Sequence, residues 1–470
     1  MRFLGIDLGT ASLKLAIVDE DGREVAFSNA AYPVATDHPG WAETSVDAWW
    51  GALVAAASKL PSNEREAVRA IGFSGQMHGV VLTDEEGRAL RPAMLWPDTR
   101  ARDLLDAWPS PQVNPVAPGM AGPLLRWIAL NEAALAADAR WALQPKDWLR
   151  TKLGGEIATD PSDACATALA DPSGLWDDAL IERLGLPRAW FAQLAPSYAA
   201  AGTLSAEAAD ALGLKAGIVM AVGAGDTPCA ALGSGLIADG DALLTTGTGG
   251  QILVMAHEAP ASVVGLHTYR AATDEWYRMA AMQNVGVALE AVRGWLAFDT
   301  WPRAYEEAFA AQSSERVTFL PYLSGERSPW MNPSARGGWL GLGLGDTRGT
   351  LMRAAFEGVA FSLRAGLDAI RASGGNIGTM RLAGGGSIDP RWRQLLADAL
   401  KVELHAVDCP NAATRGAALL GGFALGHWHA GDLASLAPTA TLAATPRPDA
   451  ALDERHARFI DLYGRVRDWF

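Results

Sequence analysis

The chain predicts a two-domain α/β protein with a duplicated core, and three observations carry that expectation. Its 470 residues exceed what one ordinary hydrophobic core organises, so two domains of about 200–250 residues are expected. Apolar strand-like runs alternate with helix-spaced segments through both halves. Two short hairpins far apart in the chain, Arg2–Ile17 (RFLGIDLGTASLKLAI) and Ala242–Met255 (ALLTTGTGGQILVM), share one design. In each an apolar run stops at a Gly/Thr-rich turn and a second apolar run follows. The turn Asp7-Leu8-Gly9-Thr10 is echoed by Thr246-Gly247-Thr248-Gly249. Glycine permits close backbone approach, so successive N–H groups can converge on an anion, and Thr hydroxyls add donors. One such turn need only reverse the chain. Two of them, opening halves of similar length, point to a duplicated domain with a phosphate chain held between the copies.

The first half opens with three strands, Phe3–Leu8, Ser12–Asp19 and Glu24–Tyr32, separated by the Gly9 turn and by Asp21-Gly22. Trp41–Lys59 has helical spacing with Ser45 as an N-cap candidate. Val68–Ser74 is a strand running into Gly75-Gln76-Met77-His78-Gly79, and Val80–Asp84 is another. Leu124–Asn131 reads as helix. Ile218–Val222 is a short buried strand ending in Gly223-Ala224-Gly225-Asp226, with a helix over Pro228–Gly233. The boundary falls at Ile237–Asp241, giving domains 1–236 and 237–470. The second half repeats the scheme: a hairpin of Ala242–Thr246 and Gln251–Ala256, a strand Trp276–Ala281, and helices Val285–Phe298 and Leu351–Arg371. A strand Met380–Ala383, a helix Asp389–Leu400, a strand Glu403–Val407 and a helix Ala412–Gly426 complete the core. The Ala/Thr/Pro-rich stretch Ala434–Pro448 reads as a surface run and Asp449–Phe470 as an amphipathic helix.

Hydrophobic residues make up 49% and charged residues 20%, as in globular proteins. A net charge of −14, with no basic stripe, argues against nucleic-acid or anionic-membrane partners but not against a small anionic ligand. Cys165, Cys229 and Cys409 lack metal or redox spacing and read as free thiols. The N-terminus has no signal-peptide pattern, and no apolar run reaches the length of a membrane span; a cytoplasmic location is expected. The residues do not fix an oligomeric state, and a homodimer is compatible with them.

Chemistry-bearing residues sit at strand ends, where open α/β sheets bind ligands. Asp226, in the GAGD turn, is either a general base for a substrate hydroxyl or an N-cap for the helix after it. Asp7 is either a Mg²⁺ ligand beside the phosphate turn or an Asx-turn stabiliser, since Mg²⁺ needs only one or two carboxylates. His78 is either a structural hydrogen-bonder or a ligand contact. Trp41, Trp96 and Asp98 lie in turn-rich connections of the same half. Gly384-Gly385-Gly386-Ser387 lets backbone lie against a ring or phosphate, yet neither GxGxxG nor GxxxxGK[ST] occurs. Glu326 and Arg327, in the loop Leu320–Arg327, either pair with neighbours or serve the site.

These residues resemble the FGGY carbohydrate kinases from end to end: GIDLGT (5–10), GQMHG (75–79), LWPDTR (95–100), PKDWLR (145–150), GAGD (223–226), TTGTGG (245–250), LPYLSGERSP (320–329), FEG (356–358) and GGGS (384–387). The resemblance implies two ribonuclease-H-like domains of the actin/hexokinase type flanking a deep cleft. It implies ATP and Mg²⁺, with Asp226 as catalytic base and Met77 and His78 as sugar contacts. Asp7 would organise Mg²⁺, Gly9, Thr10, Thr246, Gly247 and Thr248 would bind phosphates, and Gly385, Gly386 and Asn411 would lie along the adenosine. The Met-His pair is that of the ketopentose branch, so the implied reaction phosphorylates the terminal hydroxyl of a ketopentose, D-xylulose foremost. Ribulose, another ketose or a polyol is the alternative. Leu124 and Thr350 depart from the family's two signatures. Thr227 and Pro97 stand where the ketopentose branch has Asn, and both bear on the sugar rather than on the reaction. A non-enzymatic actin-like nucleotide binder would have lost the base carboxylate or the turn glycines, and Asp226, Gly9 and Gly247 are all present.

Overall fold

The structure is a computed structural model and describes residues 1–110, 112–311, 315–375 and 377–470. The chain forms two seven-stranded sheets. In the first, the order across the sheet is Glu24–Ala31, Ser12–Val18, Arg2–Leu8, Val68–Gly75, Val219–Ala221 and Ala200–Thr203, with the two-residue strand Ala224–Gly225 also beside Val68–Gly75. In the second it is His267–Arg270, Trp276–Met282, Gly250–Ala256, Ala242–Thr246, Thr379–Ala383, Glu403–Val407 and Ala440–Ala444. Both follow one plan. Three antiparallel strands lead to two parallel neighbours, and an antiparallel strand closes the edge. The second sheet adds only His267–Arg270, so the duplication expected from the hairpins is present strand by strand.

Central strands read as unbroken apolar runs because both faces are covered. Phe3 to Leu8 are all buried, and the two sheets carry separate hydrophobic cores. The first helix begins at Val46, later than the periodicity from Trp41 suggested. Ser45 caps it by accepting from the Asp47 N–H, while Glu43–Thr44 pairs with Ala93–Met94 and so must stay extended. Trp41 instead stacks under the Arg100 guanidinium, 3.5 Å from its ring centroid. The stretch Ala434–Pro448 also differs from the expected surface run. Its middle, Ala440–Ala444, forms the edge strand on Glu403–Val407, bracketed by Pro438 and Pro446. Prolines next to edge strands are ordinary, because they remove donors only where no partner waits.

One helix does not stay with its half of the sequence. Ala412–Ala424 crosses to the first sheet and lies on Arg2–Leu8 and Val68–Gly75 so closely that glycine is required beneath it. A Cβ at Gly5 would stand 1.8 Å from the Thr414 carbonyl oxygen, and one at Gly72 would stand 1.7 Å from that of Ala417. The last long helix, Ala450–Val466, is capped by Asp449 and buries Leu452, Phe459 and Tyr463 against the second core. Among the described residues no helix is long and apolar enough to cross a membrane, and all three cysteines are free.

Candidate active site

The parallel strands of the first sheet deliver Asp7, Gln76-Met77-His78 and Asp226 to one edge. Register fixes the neighbours: Asp7 is opposite Ser74, and Ser74 is opposite Ala224. The Ser74 hydroxyl donates to Asp7 Oδ1 at 2.7 Å, and Lys14 Nζ, across the hairpin, is 3.7 Å from Asp7 Oδ2. Burial nevertheless holds the Asp7 carboxyl above its ordinary range, partly offset by Ser74 and Lys14.

Asp226 is the first residue of the helix Asp226–Gly233, and the N-cap position belongs to Gly225. The capping alternative is therefore not what this carboxylate does. Its Oδ1 accepts from the Thr227 N–H at 2.6 Å and the Thr227 hydroxyl at 3.2 Å. Burial and then the neighbouring Asp7 charge push its pKa up to about 6, with the two Thr227 bonds opposing. A carboxylate with that affinity for a proton at the end of a strand is suited to general base work near neutral pH.

Met77 packs on Gly225, where a Cβ would meet its Cγ at 2.6 Å. His78 holds a positive φ of 76°, a strained state for a non-glycine residue and one that clusters at functional sites. Its Nδ1 is 2.7 Å from the Ala166 carbonyl, and burial lowers its pKa, so the ring is neutral with Nδ1 protonated. Gln76 Nε2 donates at 3.0 Å to the Gly9 carbonyl, which also receives the Tyr32 hydroxyl. The loop that carries Met77 and His78 and the turn at Gly9 are thus tied together.

In that turn Gly9 N–H bonds the Ser12 carbonyl at 3.0 Å, and the Thr10 hydroxyl accepts from Trp96 Nε1 at 2.9 Å. In the second turn Gly247 N–H bonds the Gly249 carbonyl at 2.8 Å, and the first N–H groups of the helix Gly286–Trp295 hold the Gly247 and Thr248 carbonyls. Among the described residues, the Thr10 and Thr248 N–H groups bond no backbone acceptor, and the buried Thr246 hydroxyl has no partner. Gly386 N–H donates to the Thr246 carbonyl at 3.1 Å, so the GGGS loop lies directly against this turn. Asn411 is directed elsewhere: its amide donates at 3.0 Å to Glu24 on the first sheet.

A cavity of about 570 Å³ joins the halves. From the first come Thr10, Met77, His78, Trp96, Asp226 and Thr227; from the second come Gln251, His267, Tyr269, Met279 and Arg327. Pro97 and Asp98 also line it; the buried Asp98 carboxylate pairs with Arg100 and accepts from the Ala42 N–H. Glu326 does not face substrate. It accepts from the Gln283 and Arg327 N–H groups at 2.6 and 2.8 Å and fixes its own loop. Beneath the two strand-end turns, fully buried Lys146 contacts Asp147, Asp160 and Asp163 at 2.8–3.0 Å. Ser162 Oγ in that cluster accepts from the Gly225 N–H at 3.1 Å. Lys14, His267, Tyr269 and this cluster escaped sequence reading, and only the cross-strand register opposite Asp7 would have found Lys14.

Among the described residues there is no group of three or more His, Cys, Asp or Glu able to hold a metal by itself. Asp7 fits a different arrangement. A buried carboxylate whose charge Lys14 and Ser74 only partly offset, next to a Gly/Thr turn whose Thr10 N–H bonds no backbone acceptor among the described residues, would suit Mg²⁺ bound through one carboxylate and waters.

Residues 2–233 match the N-terminal domain model of the FGGY family of carbohydrate kinases, and residues 242–425 match its C-terminal domain model. A xylulose kinase of Escherichia coli K12 is 35% identical over 410 residues, 84% of either chain. A xylulose kinase of Bacillus subtilis 168 is 28% identical over 487 residues, covering 98% of this chain and 96% of that one. Among solved structures, a kinase from Brucella ovis described as a xyloylose kinase superposes with a TM-score of 0.93 at 33% identity over all of both chains. A xylulose kinase from Rhodospirillum rubrum gives 0.91 at 26% identity, over 100% of this chain and 99% of that one. The chain belongs to the FGGY family of carbohydrate kinases and is an ATP-dependent sugar kinase.

Proposed function

We propose that this carbohydrate kinase transfers the γ-phosphoryl group of ATP to the terminal hydroxyl of a ketopentose, converting D-xylulose to D-xylulose 5-phosphate in the cytoplasm. The observation that carries the reading is the placement of one proton-accepting carboxylate, Asp226, in a cavity shared by Met77, His78 and Thr10. The sugar lies against Met77 and His78 with its C5 hydroxyl at Asp226, which accepts the proton as that oxygen bonds to phosphorus and the bond to the ADP oxygen breaks. Phosphoryl transfer asks the protein mainly for alignment and charge neutralisation. The Thr10 N–H on one side, and the Thr246 hydroxyl and Thr248 N–H on the other, supply donors to the phosphates, while Gly9 and Gly247 let the backbone of each turn approach them. Gly385 and Gly386 extend that surface along the adenosine; Asn411 would have to release Glu24 to join them. Asp7 would hold Mg²⁺, largely through water, and the ion would neutralise charge on the phosphates. The two turns belong to different sheets, so donor and acceptor align only as the halves approach, which also excludes water.

A sister ketose such as ribulose is the second reading, because Thr227 and Pro97, which line the cavity, stand where xylulose kinases usually carry Asn. Coupled detection of ADP with a panel of pentuloses, pentitols, glycerol and gluconate decides between them, with product position read by phosphorus NMR. Turnover of glycerol or gluconate in preference to every pentulose would overturn the proposal.

A further inference from the structure

The far end of the cavity has a donor pattern of its own. Arg327 and His267 enter from the second sheet's side and face His78 from the first. Arg327 forms no side-chain hydrogen bond or ion pair among the described residues, although its neighbours in the loop are fully tied down. His267 stacks on Tyr269 at 5.8 Å with an interplanar angle of 10°, and Tyr269 lies 6.4 Å from His78. The three rings form a wall across the junction of the halves.

Hydrogen bonding assigns the protons. His78 Nδ1 faces a carbonyl oxygen, which can only accept, so Nδ1 carries the proton and Nε2 offers a lone pair. The Tyr269 hydroxyl has one protein partner among the described residues, His267 Nδ1 at 3.3 Å. Burial holds the phenol in its protonated form, and its proton needs an acceptor, so it donates to Nδ1 and leaves His267 Nε2 carrying hydrogen. Burial, then His78 and Arg327, hold His267 down at a pKa of about 4, so the ring stays neutral at neutral pH. The wall therefore presents one neutral donor, one cationic donor and one acceptor. Two donors suit an oxygen that cannot donate, and the acceptor suits a hydroxyl beside it.

We propose that Arg327 and His267 bind the carbonyl oxygen of an open-chain ketose whose terminal hydroxyl lies at Asp226, while His78 Nε2 accepts from a hydroxyl next to that carbonyl. This rests on the sugar-kinase reading above and assigns ketose selectivity to the second half of the chain. Sugar binding then bridges the two sheets before any nucleotide contact does. A polyol lacks the carbonyl and leaves a cation facing a hydroxyl that must turn its proton away.

The test compares D-xylulose with the two pentitols formed by reducing its carbonyl. Steady-state kcat/KM by ADP release and calorimetric Kd without nucleotide are measured on wild type, Arg327→Met and His267→Phe. Circular dichroism checks each fold. The ketose is expected to lose roughly 10- to 100-fold more than the pentitols in both variants, the effect of deleting one charge-assisted or well-placed hydrogen bond. Arg327→Lys and His267→Gln, which keep a donor near the same point, should recover part of the ratio and keep the question decidable if the larger changes unfold the protein. Equal losses for ketose and pentitols, or an unchanged ratio, would overturn the assignment while leaving the kinase reading intact. A gluconate preference abolished by Arg327→Met would overturn it too, by giving the cation to a carboxylate. If wild type turns over no pentulose, the substrate reading itself falls.

Discussion

Replacing Asp226 by Asn removes the proton acceptor and keeps the shape. The loss of a positioned general base is worth about 10²- to 10⁴-fold in kcat, and Thr227 can still donate to the remaining amide oxygen. In wild type the base must be ionised, so kcat/KM should rise with pH through a limb at about 6 and level off above 7. The same burial predicts a stability effect of opposite benefit. The folded carboxyl titrates near 6 against an ordinary 3.8. Between those values the native state holds a proton that the unfolded chain has lost, so stability falls as pH rises through the window and stays low above it. The 2.2-unit difference corresponds to about 3 kcal/mol at pH 7.5, an upper figure, and to almost nothing at pH 4. Asp226→Asn should therefore be nearly inactive yet melt several degrees higher than wild type at pH 7.5, with the advantage vanishing near pH 4. Coupled ADP assays from pH 5 to 8 and calorimetric melting at both pH values provide the check. A pH limb surviving in the Asn variant, or a variant less stable than wild type at pH 7.5, would refute the reasoning.

Gly225→Ala places a methyl group 2.6 Å from Met77 Cγ and 2.9 Å from its Sδ. The flexible thioether can move, so the fold should survive while the sugar KM rises about tenfold and the ATP KM does not; unchanged sugar affinity would remove Met77 from the substrate surface. Lys146→Met leaves Asp160 and Asp163 without a cation and Asp147 with Arg150 alone, at a cost of about 3–5 kcal/mol at neutral pH. Asp163 is already held high by burial, which the Lys146 ammonium opposes, and losing that ammonium raises it further. The native state then binds extra protons, so the melting deficit should shrink from pH 8 to pH 5; a deficit independent of pH contradicts the ionic account. Arg415→Met leaves the Gly22, Gly233 and Leu436 carbonyls without their shared donor, at roughly 1–3 kcal/mol for each that stays dry. Calorimetry should show a lower melting point and a wider separation between the transitions of the two halves, and one unshifted transition would argue against a bridging role.

The part of the site that could be read from the sequence was local. Asp7, Met77, His78 and Asp226 each follow an apolar run directly, and the end of a strand in an open sheet is visible as a pattern of a few residues. What could not be read depended on register or on short elements. Lys14 reaches Asp7 only through the pairing of Asp7 with Lys14 across the hairpin. His267 and Tyr269 come from a four-residue edge strand whose sequence, HTYR, carries no strong alternation. The wrong start of the first helix has the same origin, since tertiary pairing of Glu43–Thr44 overrides helical periodicity there. Asp226 itself looked like a cap because Asp precedes many helices. The helix instead starts two residues before Pro228, which puts the carboxylate inside the first turn, where Thr227 binds it.

The helix Ala412–Ala424 ties the second half of the chain to the sheet that carries Asp7 and Ser74. It belongs to the second half by sequence but is locked to the first sheet by backbone contacts at Gly5 and Gly72, which lie just before Asp7 and Ser74. Three covalent links therefore join the sheets: residues 234–241, residues 408–411 and the return after Ala424. Arg415 gathers them, standing on the helix that follows the second link and donating at 2.7 Å to Gly233, where the first begins, and also to Leu436 in the third. Its third partner, Gly22 at 2.7 Å, lies in a turn of the first sheet. The cavity residues lie away from this staple, so a rotation that widens the cavity needs to bend only the three links. Asp226, Asp7, Met77 and His78 form a floor on the first sheet: Asp7 lies on a strand under the crossed helix, and the other three follow the strands Val68–Gly75 and Ala224–Gly225. The residues free to change position relative to that floor are those of the second sheet, Thr246–Gly249, His267 and Arg327. On the proposed reading the groups around the proton acceptor thus come from one sheet, and an approach of the halves would add the phosphate donors of Thr246–Gly249 and the sugar contacts of His267 and Arg327.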